Sequence, residues 1–461
     1  MKRSIRSHVL LSFLLLLSFN CKPNPKKVTI IGTGYVGLIV GAGLADKGHQ
    51  VICADIDAKK IADLKNGIMP IFEPGLEELV KKNANNISFT TDVKSAIKNS
   101  EIIMIAVGTP TKENYESDLR ALHAVANTIG ETLKNEPGYR VVCIKSTVPI
   151  GTNKKIKSML EEQIDKNNFD MVSNPEFLRA GNALKDLYEK NPIVIGSDSK
   201  KALGVMSELY QPFVENGISL IKANDFATAE ITKYAWNSTV ALKVSYVNDL
   251  SRLCVATGGN IFKVVEGIGF GDDVLPFKNV KPGPGFGGSC LPKDTRAFVK
   301  MASDREIDFS IIKAAINSSR KQKEFVFKQV ESLVGNSVKD KTIGVLGLSF
   351  KAGTDDIRKS PAILVINRLL EGGAKIKAYD PKATENMKKL FPNVDYCDSA
   401  YEASKDTEAI IALTDWRDIK EIDLKKISTL VKNKVIVDAR NMFDPKVLKE
   451  NGFKFANLGR R

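Results

Sequence analysis

The chain has 461 residues, 43% hydrophobic and 26% charged, the mixture of a globular protein with cores to bury, and its length predicts two to four domains. Basic side chains exceed acidic ones by 14, and Lys2, Arg3, Arg6, Lys22, Lys26 and Lys27 supply six of that excess, leaving about +8 for the body. That balance favours anionic ligands such as phosphates, while the lack of Lys/Arg blocks interleaved with aromatics argues against nucleic acid.

Six widely spaced cysteines (Cys21, Cys53, Cys143, Cys254, Cys290 and Cys397) form no CxxC pair, so free thiols in a reducing compartment are expected. The only histidines are His8, His49 and His123, which leaves a His triad, an HExxH zinc site and Cys/His metal spacing unsupported. No metal is expected, and acid/base chemistry falls to Lys, Asp, Glu or Cys.

In chain order, residues 2–6 are basic, 9–19 are apolar, and Asn20-Cys21 precedes a Pro/Lys-rich stretch. This resembles a bacterial secretory or loose lipoprotein signal and is too short for a comfortable membrane span. From Val28, β-branched apolar runs at 28–31, 51–54, 102–107, 141–145 and 193–195 alternate with helix-length amphipathic stretches. That is the pattern of a doubly wound parallel sheet. One long helical period follows over about 225–257, then a Gly/Pro-rich loop at 267–288, then more helix to about 334. The alternation resumes with runs at 343–346, 376–379, 409–413 and 435–437. The expected fold is α/β: two doubly wound Rossmann-like domains, 26–222 and 335–461, joined by a central helical region, 223–334, with 1–25 set apart as leader or misplaced gene start. The two α/β halves can be distant echoes of one unit.

The stretch Gly32-Thr-Gly34-Tyr35-Val36-Gly37 follows the first run and opens a helix reaching about Lys47. Gly32 permits the tight turn, Gly34 lets a pyrophosphate approach the backbone, and Gly37 lets helix and strand pack closely. Asp55 closes the next strand about 20 residues on, where a carboxylate accepts ribose hydroxyls. With Asp57 also acidic and no Arg directly after Asp55, a ribose phosphate is repelled, so NAD is expected rather than NADP. A soluble NAD pool places the protein in the cytoplasm. Export, lipid anchoring or membrane contact is expected only if residues 1–21 are a real signal, and the absence of a methionine between Met1 and Met69 weighs for their translation.

Two predicted strands end in Val-Gly-Thr109-Pro and Lys-Ser-Thr147-Val-Pro, whose hydroxyls suit the nicotinamide side or a catalytic water and serve equally as helix caps. In Gly285-Phe286-Gly287-Gly288-Ser289-Cys290-Leu291-Pro292-Lys293-Asp294, glycines leave the backbone around Cys290 open for a bulky substrate. Lys293, or a helix start after Pro292, is expected to lower the thiol pKa. Lys233 and Asn237 lie one helical turn apart on one face of the long helix, placed to hold an alkoxide or oxyanion. Lys351 and Arg358 on the loop after the 343–346 run, with Arg440 after 435–437, suit a second phosphate-bearing ligand.

Taken together these residues resemble the nucleotide-sugar 6-dehydrogenase family over about 27–445. The motifs are GTGYVG, the VGTP and KSTVP strand ends, Asn174-Pro-Glu176-Phe177-Leu178, Lys233 with Asn237, GFGGSCLPKD, FKAGTDDIR and DARN. The resemblance implies an amino-terminal NAD domain, a central helix forming a homodimer, and a carboxyl-terminal domain holding the uridine diphosphate of a UDP-sugar. It implies four-electron oxidation of the sugar C6 alcohol, with UDP-glucose as substrate and GDP-mannose or a UDP-N-acetylhexosamine as the alternative. By carry-over Cys290 is the nucleophile, Lys233 and Asn237 serve the oxygen at C6, and Asp294 with Thr147 positions water. Glu176 assists acid/base steps, Glu176, Phe177 and Leu178 contact substrate, Gly285, Phe286, Gly287 and Gly288 line the hexose, and Lys351 and Arg440 meet diphosphate and sugar. Two departures put the sugar in question: Ala180 replaces the second acid of the family's PEFLxEG run, and Val274 stands where an arginine is usual. Two other classes compete: a two-electron hydroxyacid-type dehydrogenase needing no thiol, and an exported, non-catalytic binding lipoprotein.

Overall fold

The computed structural model describes residues 24–269 and 280–460. The signal-like segment with Cys21, and Val274, lie outside the described residues. The β-branched runs form strands, and the central ones are buried on both faces. The strands are β1 (Lys27–Ile31), β2 (Gln50–Ala54), β3 (Ile87–Thr90), β4 (Ile102–Ile105), β5 (Arg140–Ile144), β6 (Phe169–Ser173), β7 (Ile193–Gly196) and β8 (Leu220–Ala223). Their sheet order is β3-β2-β1-β4-β5-β6-β7-β8. Ile30, Ile102 and Met104 enter one core layer while Ile31, Ile103 and Ile105 enter the other, the two-residue alternation of a doubly covered sheet. Pairing is parallel except that β6 and β7 meet antiparallel through Ser173 and Gly196, where the reading expected parallel order throughout. The strands β3, β6 and β8 escaped that reading because ISFT, FDMVS and LIKA each interrupt the apolar run with a polar residue.

A second sheet contains β9 (Thr342–Leu346), β10 (Lys375–Tyr379), β11 (Asp395–Tyr396), β12 (Ala409–Ala412), β13 (Val435–Asp438) and β14 (Lys454–Asn457), in the order β11-β10-β9-β12-β13-β14. All of its pairings are parallel. Between the sheets runs the 32-residue helix Phe226–Thr257, about 48 Å long at 1.5 Å per residue. Asp225 caps it by accepting the Thr228 N–H at 2.6 Å, and Gly258, at φ +81°, ends it in the left-handed conformation. The helices Leu291–Ser303 and Ser310–Leu333 pack along it, tied by Arg252 to Gln322 at 2.6 Å.

The two sheets repeat one device. In each, a glycine at positive φ follows the first strand, Gly32 at +105° and Gly347 at +93°. In each, an Asp at the end of the next strand accepts the backbone N–H that follows: Thr33 to Asp55 at 2.8 Å, Leu348 to Asp380 at 2.7 Å. The copies then diverge. Asp380 is also taken by Ser349, by the Trp416 indole N–H at 3.0 Å, and by the N–H groups of Lys382 and Ala383, so its oxygens carry more protein donors than those of Asp55. A dinucleotide therefore suits the first sheet.

Candidate active site

The turn after β1 fits NAD in detail. A Cβ on Gly37 would lie 1.9 Å from the Gly32 carbonyl oxygen, whereas one on Gly34 would meet nothing within 4 Å. Gly37 thus serves helix packing and Gly34 leaves open approach for a pyrophosphate at the amino end of the helix Tyr35–Asp46. Asp55 accepts the Thr33 N–H and hydroxyl, the Asp57 N–H at 3.1 Å and the Lys60 ammonium at 3.0 Å. These donors hold its pKa below the usual carboxylate range despite partial burial. Gly32, Gly34 and Asp55 thus meet at one turn, and Tyr35, Val36 and Gly37 open the helix that follows it. Beyond the ends of β4 and β5 the Thr109 hydroxyl donates to the Thr147 carbonyl at 2.7 Å, joining the two threonines. Among the described residues no hydrogen bond joins Thr147 to Asp294.

The catalytic candidates converge from three elements. Lys233, on the long helix, pairs with Glu176 beyond β6 at 2.9 Å, with both side chains at least nine-tenths buried. One turn along, Asn237 donates to Asp294 at 2.6 Å. Asp294 sits in the first turn of the helix that Cys290 begins and also pairs with Lys293. Burial opposes the Lys233 ammonium, but Glu176, Cys290 and Asp294 around it hold its pKa above the ordinary lysine value. Phe177 closes the site from above, 5.3 Å from Lys233 and edge-on to Trp236 at the same centroid distance.

Two expectations about Cys290 are corrected. Lys293 is engaged by Asp294, so it does not activate the thiol. Burial pushes the Cys290 thiol up, and Glu176 and Asp294 add to this against the opposing Lys233 charge. Alkylation of Cys290 by iodoacetamide in the ligand-free protein is thus expected to be slower at pH 7 than that of an exposed thiol, rising about tenfold per pH unit to beyond pH 9. Mass spectrometry of its peptide measures this, and a rate that is flat between pH 7 and 9 contradicts it.

The glycines before Cys290 are not open space. A Cβ on Gly285 would lie 2.8 Å from the Ser319 carbonyl, on Gly287 2.6 Å from that of Lys359, and on Gly288 2.9 Å from the Phe350 ring. Their smallness lets the cysteine loop press against the loop after β9, and Gly288 donates to the Arg358 carbonyl at 2.8 Å. Phe286 is buried and donates its N–H to Ser319 at 3.0 Å. Open volume borders the end of this loop, in a cleft of 1140 Å³ lined by Thr111, Gly288, Ser289, Lys293, Arg296 and Arg358 among others.

Arg440 donates to the carbonyls of Leu413 and Phe350, both at 2.9 Å, which ties it to the residue that precedes Lys351. It also lines a 390 Å³ cavity with Lys281, Lys420, Arg460 and one acid, Asp415. Burial and the nearby Arg179 lower the Lys351 pKa, the environment of a cation awaiting an anion.

Two acids near the site, Glu230 and Glu73, escaped sequence reading. Glu230, a turn before Lys233, accepts the N–H groups of Gly151 and Asn153 at 2.6 and 2.9 Å, fixing the KSTVP loop to the long helix. Asn174 gathers Lys145 at 3.1 Å and Tyr210 at 2.6 Å in the core, and burial pushes the Lys145 amine down to about 8. The signal for each of the two acids was a single carboxylate in an apolar context, which spacing alone does not separate from surface.

A glycine turn with a ribose-accepting Asp, facing a buried Lys, Asn, Asp and Glu around a cysteine, defines an NAD-dependent dehydrogenase. Three family models match in succession: the NAD binding domain of the UDP-glucose/GDP-mannose dehydrogenase family at residues 26–214, its central domain at 227–321, and its UDP binding domain at 344–445. The chain is 44% identical over 439 residues to UDP-glucose 6-dehydrogenase TuaD of Bacillus subtilis, covering 94% of this chain and 93% of that protein. It is 38% identical to UDP-glucose 6-dehydrogenase of Rhizobium meliloti, at 94% and 99% coverage. Among solved structures, a UDP-glucose dehydrogenase from Pyrobaculum islandicum superposes with a TM-score of 0.87 at 30% identity, covering 95% of this chain and 99% of that one. The chain belongs to the UDP-glucose/GDP-mannose dehydrogenase family, and its substrate is a UDP-sugar.

Proposed function

We propose that the protein oxidises UDP-glucose to UDP-glucuronate with two NAD per turnover, through a covalent intermediate on Cys290. The observation that carries this is the pair of buried contacts, Lys233 to Glu176 and Asn237 to Asp294, meeting beside a cysteine. Two-electron oxidation of an alcohol needs no nucleophile; taking the aldehyde on to an acid needs one to add to the carbonyl first, and Cys290 is the nucleophile at hand. When bound, NAD supplies the hydride acceptor for each oxidation. Lys233 and the second N–H of Asn237 hold the C6 oxygen, stabilising alkoxide character as the alcohol is oxidised. The Cys290 sulfur then bonds the aldehyde carbon while its proton passes to one of the site's carboxylates, leaving a thiohemiacetal oxyanion that Lys233 and Asn237 hold. Oxidation of that adduct gives a thioester. Asp294 or Glu176 takes a proton from water as it attacks, releasing the carboxylate and restoring the thiol.

Arg440, Lys281 and Lys351 would meet the diphosphate. The units 26–222, 223–334 and 335–461 divide as cofactor, dimer-forming and nucleotide-holding parts, the protein works as a homodimer, and its demand for NAD places it in the cytoplasm. Among the described residues no helix is long and apolar enough to cross a membrane. Ala180, in the segment after Glu176, motivates a second reading in which the same chemistry acts on another UDP-sugar, a UDP-N-acetylhexosamine. Initial rates of NADH formation with UDP-glucose, GDP-mannose and UDP-N-acetylmannosamine decide between them. UDP-glucose is expected to lead in kcat/KM by about 100-fold or more, and a lead by either of the others overturns the assignment.

A further inference from the structure

The segment 177–183 carries Phe177 and Leu178, which the function proposed above sets against substrate, and it is neither strand nor helix until the short turn of helix that begins at Ala183. Its backbone is held by carboxylates instead. Leu178 N–H donates to Glu176 at 2.5 Å and Arg179 N–H to Asp186 at 2.9 Å. The N–H groups of Gly181 and Ala183 both go to Glu73, at 2.6 and 2.7 Å. Buried backbone donors need partners, and here one distant acid supplies two.

Glu73 is only 5% exposed and lies between Pro70 and Pro74 in the loop before the helix Leu76–Lys82. It accepts a third bond, from the Tyr35 hydroxyl of the cofactor turn. Burial and this carboxylate hold the Tyr35 phenol protonated, far above its ordinary pKa, so the contact is a fixed donor to an acceptor. The same loop reaches the second sheet's unit, with the Lys382 ammonium 4.7 Å above the Phe72 ring. Gly181, at φ +74°, is pressed so closely on the loop after β9 that a Cβ would lie 2.6 Å from the Gly353 carbonyl. Lys351, on that loop, feels the Glu73 charge. One buried acid thus joins the cofactor turn to the substrate segment where that segment abuts the second α/β unit.

We propose that Glu73 is a positioning residue, which sets the segment after Glu176 in register with the cofactor turn without touching the reacting atoms. The inference rests on the function proposed above. The cofactor turn has its own fastening, Asp55 to Thr33, so loss of Glu73 loosens the sugar side and spares NAD binding. Glu73→Gln keeps the size but points an amide N–H₂ at one of the backbone donors.

Amide exchange at 178–183 in the ligand-free Glu73→Gln protein is expected to be at least tenfold faster than in the parent, with the helix Leu291–Ser303 unchanged. The sugar KM is expected to rise fivefold or more and kcat to fall about tenfold, while the NAD KM stays within twofold. Adding Tyr35→Phe should cost less than the product of the single effects, since both cut one network. Glu73→Asp, which keeps the charge but falls about 1.5 Å short, should show the same split in smaller measure and stands in if the Gln protein fails to fold. Unchanged exchange at 178–183 overturns the inference whether or not UDP-glucose is the substrate. A loosened segment with unaltered sugar KM and kcat overturns the positioning role. A parent enzyme inactive on UDP-glucose, with the exchange difference intact, overturns the function proposed above and leaves the Glu73 contact standing.

Discussion

Cys290→Ala is expected to abolish formation of the sugar acid, with net turnover falling by about a thousandfold or more, in keeping with removal of a nucleophile. The reason is chemical. The first oxidation, from alcohol to aldehyde, calls on Lys233 and Asn237 and leaves carbon with no further hydrogen to lose as hydride until a nucleophile adds to it. The thiol is that nucleophile, and nothing among its close neighbours replaces it: Ser289 is 3.5 Å away and already hydrogen-bonded to the sulfur, and its hydroxyl is a far weaker nucleophile. The variant should still bind both ligands and permit a small, reversible burst of NADH. Product analysis by mass spectrometry together with the NADH progress curve checks this, and UDP-glucuronate formed at the parental rate excludes the covalent route.

Lys233→Met is expected to strike both catalysis and stability. The ammonium is buried against Glu176 at 2.9 Å, so its removal strands a carboxylate in the core. Breaking a buried pair from one side costs about 3–5 kcal/mol. The loss of oxyanion support should lower kcat by about 100-fold to 10,000-fold. The two effects separate in the double variant Lys233→Met/Glu176→Gln, where the stranded charge is gone: the urea midpoint should recover most of its loss while kcat stays low. If activity returned along with stability, Lys233 would be a structural lysine and its catalytic role would fail.

Much of this was legible in the sequence, for reasons that differ by residue. The cofactor turn could be read because Gly32, Gly37 and Asp55 are each demanded by local geometry: a positive φ, a 1.9 Å approach and a hydrogen bond to the next N–H. Lys233 and Asn237 could be read because a helix fixes which side chains share a face. The ends of β4 and β5 were legible for the same local reason, though β4 stops at Ile105 rather than running on to 107.

What could not be read depends on long-range packing. The glycines at 285, 287 and 288 looked like space left for a ligand and are instead filled by Ser319, Lys359 and Phe350, from segments some 30 to 75 residues away. The cysteine environment was misjudged for a related reason. Adjacency in sequence suggested Lys293 as the activating charge, while the fold turns Lys293 to Asp294 and brings Glu176 and Asp294 to bear on the sulfur. Glu73 shows the limit most sharply: an acid in a Pro-bounded apolar loop has no periodic signature, and its partners lie 38 and more than 100 residues away. The echo between the two sheets was suspected, but only the structure exposes the matched Asp55 and Asp380 and the Trp416 contact that distinguishes them.

The most direct test of the central claim is the yield of NADH per sugar at limiting UDP-glucose and excess NAD, using the full chain. The four-electron route through Cys290 predicts two NADH per UDP-glucose consumed, with UDP-glucuronate as product. A yield of one, with the aldehyde accumulating, would contradict it and leave a two-electron dehydrogenase whose cysteine is a bystander.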